Sequence, residues 1–295
     1  MIAIASTLRT AVRQAGRASL DPLLRTLPRM AFATAGASSR IARALAPAPL
    51  TEADLSALLG NLSPHELRRI LREIDARWAR SSLLKHLVAQ GAVREVSSCL
   101  RLRGFERLFA LRERHVPAIL VTWHTGPYQI VGTAVRSQGL EMLTIARGIA
   151  DPELNEGHSI TPAGSQTQAV AALKRAVVHL RAGGIAGVAG DGNYGSSVTE
   201  VTVLNRRLAF RHGFATLARL TGAPIMPIVA SWNGGTIDVT VHEPLALPAP
   251  VETPLEFEHA VLHAAAAWFD GYLRTYPTEL RPDRVRMMLT APRAF

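Results

Sequence analysis

Residues 119–132 read ILVTWHTGPYQIVG. An apolar, β-prone run ends in Trp123-His124, turns through Thr125, Gly126 and Pro127, and passes into a second apolar stretch. In open α/β sheets, ligands bind outside the carboxyl ends of the strands, so a histidine at such an end is placed for chemistry. With an ordinary pKa of about 6.5, an imidazole can take a proton from a hydroxyl near neutral pH. Gly126 and Pro127 turn the chain tightly behind it. Five residues on stands Gln129, whose amide can accept from the imidazole but carries no charge to offset imidazolium.

A second polar constellation lies at Gly190-Asp191-Gly192-Asn193-Tyr194-Gly195. It matches G-x-G-x-x-G after a strand, but a dinucleotide site also needs a helix opening in those glycines and an acid about 20 residues on. Here SSVTEVTV follows, which reads as extended, and position 211 is Arg. The glycines fit better as a loop folding tightly over a site. No G-x-S-x-G nucleophile elbow and no H-E-x-x-H metal spacing occurs, and no metal is expected. His65, His86, His115, His158, His179, His242, His259 and His263 fall on helix or strand surfaces and read as structural. Cys99, the single cysteine, reads as a small buried hydrophobe in a reducing compartment.

The elements that must hold these residues follow from the apolar pattern. Residues 1–95 read as a helical arm and helical pair, with a capping box at Thr51-Glu-Ala-Asp and another at Ser63-Pro64-His65-Glu66. From 96 to 295 strands and helices alternate. Strands are expected at 118–123, 141–146, 185–190, 224–232 and 236–245, and helices at 128–139, 166–184, 212–222 and 256–276. That order predicts an α/β fold with a mostly parallel central sheet flanked by helices, preceded by the N-terminal helical segment.

The formal net charge of +10 favours an anionic partner. No RNP-like motif, Arg-Gly-Gly repeat or zinc-finger spacing supports nucleic acid. Arg9, Arg13 and Arg17 recur on one side of an N-terminal stretch that carries Ile4, Leu8 and Val12 on another. This basic amphipathic pattern suits an anionic membrane surface or an ordinary solvated helix face. No apolar stretch is long enough to span a bilayer.

Four blocks, in order, resemble the lysophospholipid/glycerol-phosphate acyltransferase superfamily and, within it, the lipid A late (lauroyl/myristoyl) acyltransferases. They are GFERLFALRERHVPAILVTWHTGPYQ, LTIARG, LRAGGIAGVAGDGNYG and GFATLARLTGAPIMPIVASW. The resemblance implies an H-x4-acid motif with His124 as general base, activating an acceptor hydroxyl or amine toward an acyl thioester. It maps an acceptor-binding arginine to Arg147, a loop aspartate to Asp191 and the strand prolines to Pro224 and Pro227. Gln129 stands where the motif has its acid. Three readings follow: Gln129 orients the imidazole, another acid (Asp191 or Glu200) reaches it in space, or the chain is a degenerate relative that binds acyl groups or a carrier protein without turnover. The site residues expected are therefore His124, Gln129 and Asp191 for catalysis, with Arg147, Gly126, Gly192, Tyr194, Arg206, Arg207 and Arg211 for substrate. The last three arginines follow the Gly-rich loop and would meet an acyl carrier protein, coenzyme A phosphates or anionic lipid, or else form a solvated basic loop. No resident cofactor is implied, because the acyl thioester is a co-substrate. The implied place is cytoplasmic, peripheral on the cytoplasmic face of the inner membrane. The branch's C-terminal Trp/Arg motif is matched only in part, by ELRPDRVRMM at 279–288.

Overall fold

A computed structural model describes residues 28–37, 50–60, 62–89, 92–145, 159–160, 166–192, 197–247 and 253–291. Its helices are α1 (Pro28–Ala37), α2 (Glu52–Leu59), α3 (Pro64–Ala89), α4 (Val93–Ser97), α5 (Phe105–Glu113), α6 (Val131–Arg136), α7 (Gln166–Arg181), α8 (Gly213–Thr221), α9 (Pro254–Thr275) and α10 (Pro282–Thr290). Its strands are β1 (Leu100–Arg103), β2 (Ala118–Thr122), β3 (Met142–Ile145), β4 (Ser159–Ile160), β5 (Ile185–Ala189), β6 (Val198–Val203), β7 (Arg206–Arg211), β8 (Ile225–Asn233) and β9 (Thr236–Val241).

Seven strands form one sheet in the order β1-β9-β8-β2-β5-β3-β4. Every neighbouring pair is parallel except β8 and β9. The fold is thus a mixed α/β structure with a mostly parallel central sheet flanked by helices. β2 lies between β8 and β5 and is apolar on both faces, as a covered parallel strand must be. Its residues alternate between two cores: Ile119, Val121 and Trp123 join one, Ala118 and Leu120 the other. Helix α3 reaches both, through Leu67, Ile70, Leu71 and Ile74 at one end and Leu84 and Leu87 at the other. The two stretches expected on either side of residue 95 therefore feed the same cores.

Local chemistry explains several boundaries. Thr51 and Asp54 exchange cap bonds at the start of α2, and Ser63 and Glu66 do the same for α3. The expected helix at 128–139 begins as a 3-10 turn, Tyr128–Ile130, before α6. Strand β9 ends at Val241, short of residue 245. The segment after the Gly-rich loop is a hairpin, β6 paired antiparallel with β7, whose turn places Leu204 and Asn205 at positive φ. Asp270 of α9 accepts from the Leu204 N–H at 2.7 Å, and Arg274 holds Asp270 at 2.7 Å. Cys99 is fully buried, and burial pushes its thiol up from the ordinary value. Among the described residues, no helix is long and apolar enough to cross a membrane.

Candidate active site

The register of β2 and β5 builds the site. Thr122 pairs with Ala189, so two residues farther along each parallel strand His124 arrives beside Asp191. The pairing continues past the strands, with Gly190 N–H donating to the Thr122 carbonyl at 2.7 Å. The His124 Nδ1 lies 2.7 Å from Asp191 Oδ1, and the His124 backbone N–H donates to the same carboxylate at 3.2 Å. Asp191 is nearly buried, and His124 keeps 20% of its side chain exposed. With Asp191 accepting from Nδ1–H, the Nε2 lone pair is the one that can take a substrate proton.

Trp123 anchors the strand end from the opposite face. It is fully buried and stacks on Trp268 and Phe269 of α9, each at 4.9 Å. The turn behind His124 is clamped by the C-terminal segment. Gly126 N–H donates to the Glu279 carbonyl at 3.1 Å. Gly126 has φ +46°, and a Cβ there would stand 2.4 Å from the Ala230 carbonyl oxygen and 2.5 Å from Glu279 Oε2, so only glycine fits. The buried Glu279 pairs with Arg77 of α3. Burial pushes its carboxyl up to about 7, against the pull of Arg77.

Tyr128 meets the His124 ring edge-on, with centroids 4.6 Å apart. Arg281 is sandwiched between Tyr128 at 5.2 Å and Trp78 of α3 at 4.9 Å. Burial raises the Tyr128 phenol, with Arg281 and Arg284 pulling it down and Asp283 and Asp191 adding to the rise. Arg284 Nε stands 3.9 Å from Asp191 Oδ2.

A histidine–aspartate pair at the carboxyl ends of two parallel strands, with one imidazole nitrogen left for substrate, fits proton abstraction from a hydroxyl or amine. The sequence matches the family model described as bacterial lipid A biosynthesis acyltransferase over residues 3–253. The chain belongs to that family. It is an acyltransferase, and a lipid-like acceptor is what the family implies. No curated protein matches the chain.

Within this lipid A acyltransferase relative, the residues expected from sequence take different places. His124 and Asp191 come together, as the second of the three readings requires. Gln129 lies exposed on the 3-10 turn, and Glu200 pairs with Arg207 across the hairpin at 3.4 Å. Gly192 closes the turn after β5, donating to the Ala189 carbonyl at 3.2 Å. The three arginines do not form one surface cluster, because alternation along β7 divides them. Arg206 points inward, 6% exposed, and donates to the Ala57 and Ala291 carbonyls at 3.4 and 3.3 Å, tying the hairpin to α2 and the end of α10. Arg207 and Arg211 lie half-buried on the other side. Arg147, Tyr194 and the N-terminal stretch carrying Arg9, Arg13 and Arg17 lie outside the described residues.

Sequence reasoning missed Tyr128, which meets the His124 ring, and Arg77, Glu279, Arg281 and Arg284, which hold the groups around it. Three of them sit in ELRPDRVRMM, where a clustering of charge was visible but its destination was not. Among the described residues, no group of three or more His, Cys, Asp or Glu stands together as a metal site.

Proposed function

We propose that this acyltransferase moves an acyl group from an acyl carrier protein or coenzyme A thioester to a hydroxyl or amine of a lipid-like acceptor, with His124 as general base. The observation that carries the reading is the 2.7 Å contact of His124 Nδ1 with Asp191 at the strand ends. Asp191 keeps the proton on Nδ1 and favours the imidazolium as it forms. Nε2 takes the acceptor proton while the acceptor oxygen or nitrogen bonds to the thioester carbonyl carbon. The tetrahedral intermediate then collapses, the C–S bond breaks, and the thiolate leaves with the proton returned from Nε2.

The acceptor lies at or near a membrane in this reading, and the protein works peripherally on the cytoplasmic face of the inner membrane. The net charge of +10 supports phosphate-bearing donors, acceptors or lipids as partners. The test is a mass-resolved transfer assay with acyl carrier protein and acyl-CoA donors against a lipid A precursor and simpler amino or hydroxy lipids. Product formed by wild type and lost in His124→Ala supports the reading. Binding of donor without turnover by wild type, under every donor and acceptor pairing, would favour the degenerate relative.

A further inference from the structure

A line of stacked side chains runs from the proposed base to helix α3. The His124 ring meets Tyr128 edge-on, with centroids 4.6 Å apart. The Arg281 guanidinium lies 5.2 Å from the Tyr128 ring and 4.9 Å from that of Trp78. Arg281 keeps only 13% of its side chain exposed, and Asp283 orients it, accepting from Nε at 3.2 Å and Nη2 at 3.4 Å. One residue before Trp78, Arg77 pairs with the buried Glu279, whose backbone carbonyl accepts from Gly126 N–H at 3.1 Å. Adjacent residues of α3 thus hold Glu279 and Arg281, and these in turn hold Gly126 and Tyr128, on either side of Pro127. The whole 279–281 segment lies outside the 3–253 stretch matched by the family.

We infer that Arg281 is a positioning residue: stacked between Trp78 and Tyr128, it fixes the Tyr128 ring, and through that ring the tilt of His124 and the aim of Nε2. The inference rests on His124 being the base. The Asp191 bond pins the ring at Nδ1, and the ring can still lean about that contact. A catalytic group has to be held within about 0.5 Å and 10–20° of its productive geometry, so one contact is too few. Tyr128 supplies the second restraint. It stands on the three-residue 3-10 turn Tyr128–Ile130, a short element that needs an outside anchor to fix a half-buried ring. Arg281 is that anchor, because a planar guanidinium presents one face to each ring, which a compact lysine ammonium does not. The Arg77–Glu279 pair acts on the other side of Pro127, at the Gly126 backbone, so it sets where the turn lies rather than how the imidazole leans. A leaning base leaves substrate binding as it was and slows proton transfer, so the effect belongs in kcat.

The test is a double-mutant cycle on the full-length protein, with kcat and KM read at each variant's pH plateau. Arg281→Met and Tyr128→Leu should each lower kcat by about tenfold and leave KM within about twofold. The double variant should also lose about tenfold rather than about a hundredfold, because both changes break one line of contacts. Arg281→Lys keeps the charge without the plane. It should fall with Arg281→Met in kcat, and it runs the same cycle if the Met variant folds poorly. A second readout needs no turnover. NOEs between the Tyr128 and His124 ring protons, in protein labelled at tyrosine and histidine and assigned with His124→Gln, should be strong in wild type and weaken in both Arg281 variants. Unchanged NOEs, or effects that multiply in the double variant, would show a merely structural arginine and overturn the inference. A loss carried by KM would overturn it too, by making Arg281 a substrate contact, and so would a Lys variant as fast as wild type. The NOEs decide the positioning whether or not His124→Ala abolishes transfer, so the two claims fail separately.

Discussion

His124 and His212 each turn Nδ1 toward a carboxylate, 2.7 Å from Asp191 and 2.8 Å from Glu258. Each follows a strand and leads into a turn or helix: His124 comes after β2, and His212 after β7 at the cap of α8. The local sequence logic that marks one therefore marks the other. Their surroundings separate them. The Nε2 of His212 is 2.8 Å from Thr199 Oγ1, and the second Glu258 oxygen accepts from Arg219 at 2.9 Å. Thr199, His212 and Glu258 are all buried, so this Thr–His–Glu line has the bonds of a catalytic triad with both imidazole nitrogens taken. β7 belongs to an antiparallel hairpin, whereas β2 lies in the parallel sheet, where carboxyl ends gather on one edge and Asp191 arrives in register. An imidazole–carboxylate pair becomes a site only when the second nitrogen is left for something else.

The sharpest way to break this contrast is to remove each imidazole. His124→Ala should lower acyl transfer by about a thousandfold, the range of a lost general base, with the melting temperature nearly unchanged. His212→Ala should do the reverse. It strands Glu258 and Thr199 in the core, lowers the melting temperature by several degrees, and leaves turnover per folded molecule within about threefold of wild type. Steady-state rates paired with thermal melts separate the two. A His212 variant that melts normally but fails to transfer would erase the distinction.

The carboxylates come next. Asp191→Asn removes the charge that favours imidazolium and can flip the tautomer, so a loss of about 10²–10³ in kcat is expected with the fold intact. Glu258→Gln should cost about 2–4 kcal/mol of stability, read by denaturant titration, because Arg219 and His212 lose their shared anion.

Much of this was legible in the sequence, for identifiable reasons. The β2 run with its terminal His124, the Gly-rich turn bearing Asp191 and the capping pairs at Thr51 and Ser63 are local patterns, and local patterns survive into structure. The fold class followed from alternating strands and helices. The contact of His124 with Asp191 could only be offered as one of three arrangements, because it depends on β2 and β5 being neighbours in register, a fact of topology. β1 escaped notice because LRLR alternates arginine with half-buried leucine at the sheet edge. α10 escaped because its proline-led, charged sequence carries few apolar residues, though Val285 and Met288 bury against the core. Inward-pointing Arg206 shows the converse: composition marks a basic cluster, and strand alternation divides it.

The two buried acids near these histidines sharpen the comparison through pH. Burial pushes Glu258 up, but the bonds from His212, Arg219 and Thr216 outweigh it and leave the carboxyl below its ordinary value. Its contribution to stability is present above the unfolded value and is lost as pH falls through the folded one. Glu279 runs the other way. Its carboxyl rises from 4.5 to about 7, so its contribution is present below 4.5 and is lost as pH climbs through 7. Relative to Glu279→Gln, wild type should lose about 3 kcal/mol between pH 4 and pH 8. Urea titrations at both ends measure it, and parallel slopes in the two proteins would remove Glu279 from the titration.

Gln129→Glu should have the smallest effect. The acid of an H-x4-acid motif orients the imidazole and offsets its charge, and here Asp191 already holds Nδ1 at 2.7 Å. Residue 129 is exposed on its 3-10 turn, so a new carboxylate there is hydrated and its field is screened. A change of less than about threefold in kcat is therefore expected. A gain beyond tenfold would mean that position 129 reaches the imidazole during turnover, so that His124 works with two acids where His212 has one. The contrast between the two histidines would then rest on the number of carboxylates rather than on the nitrogen left open.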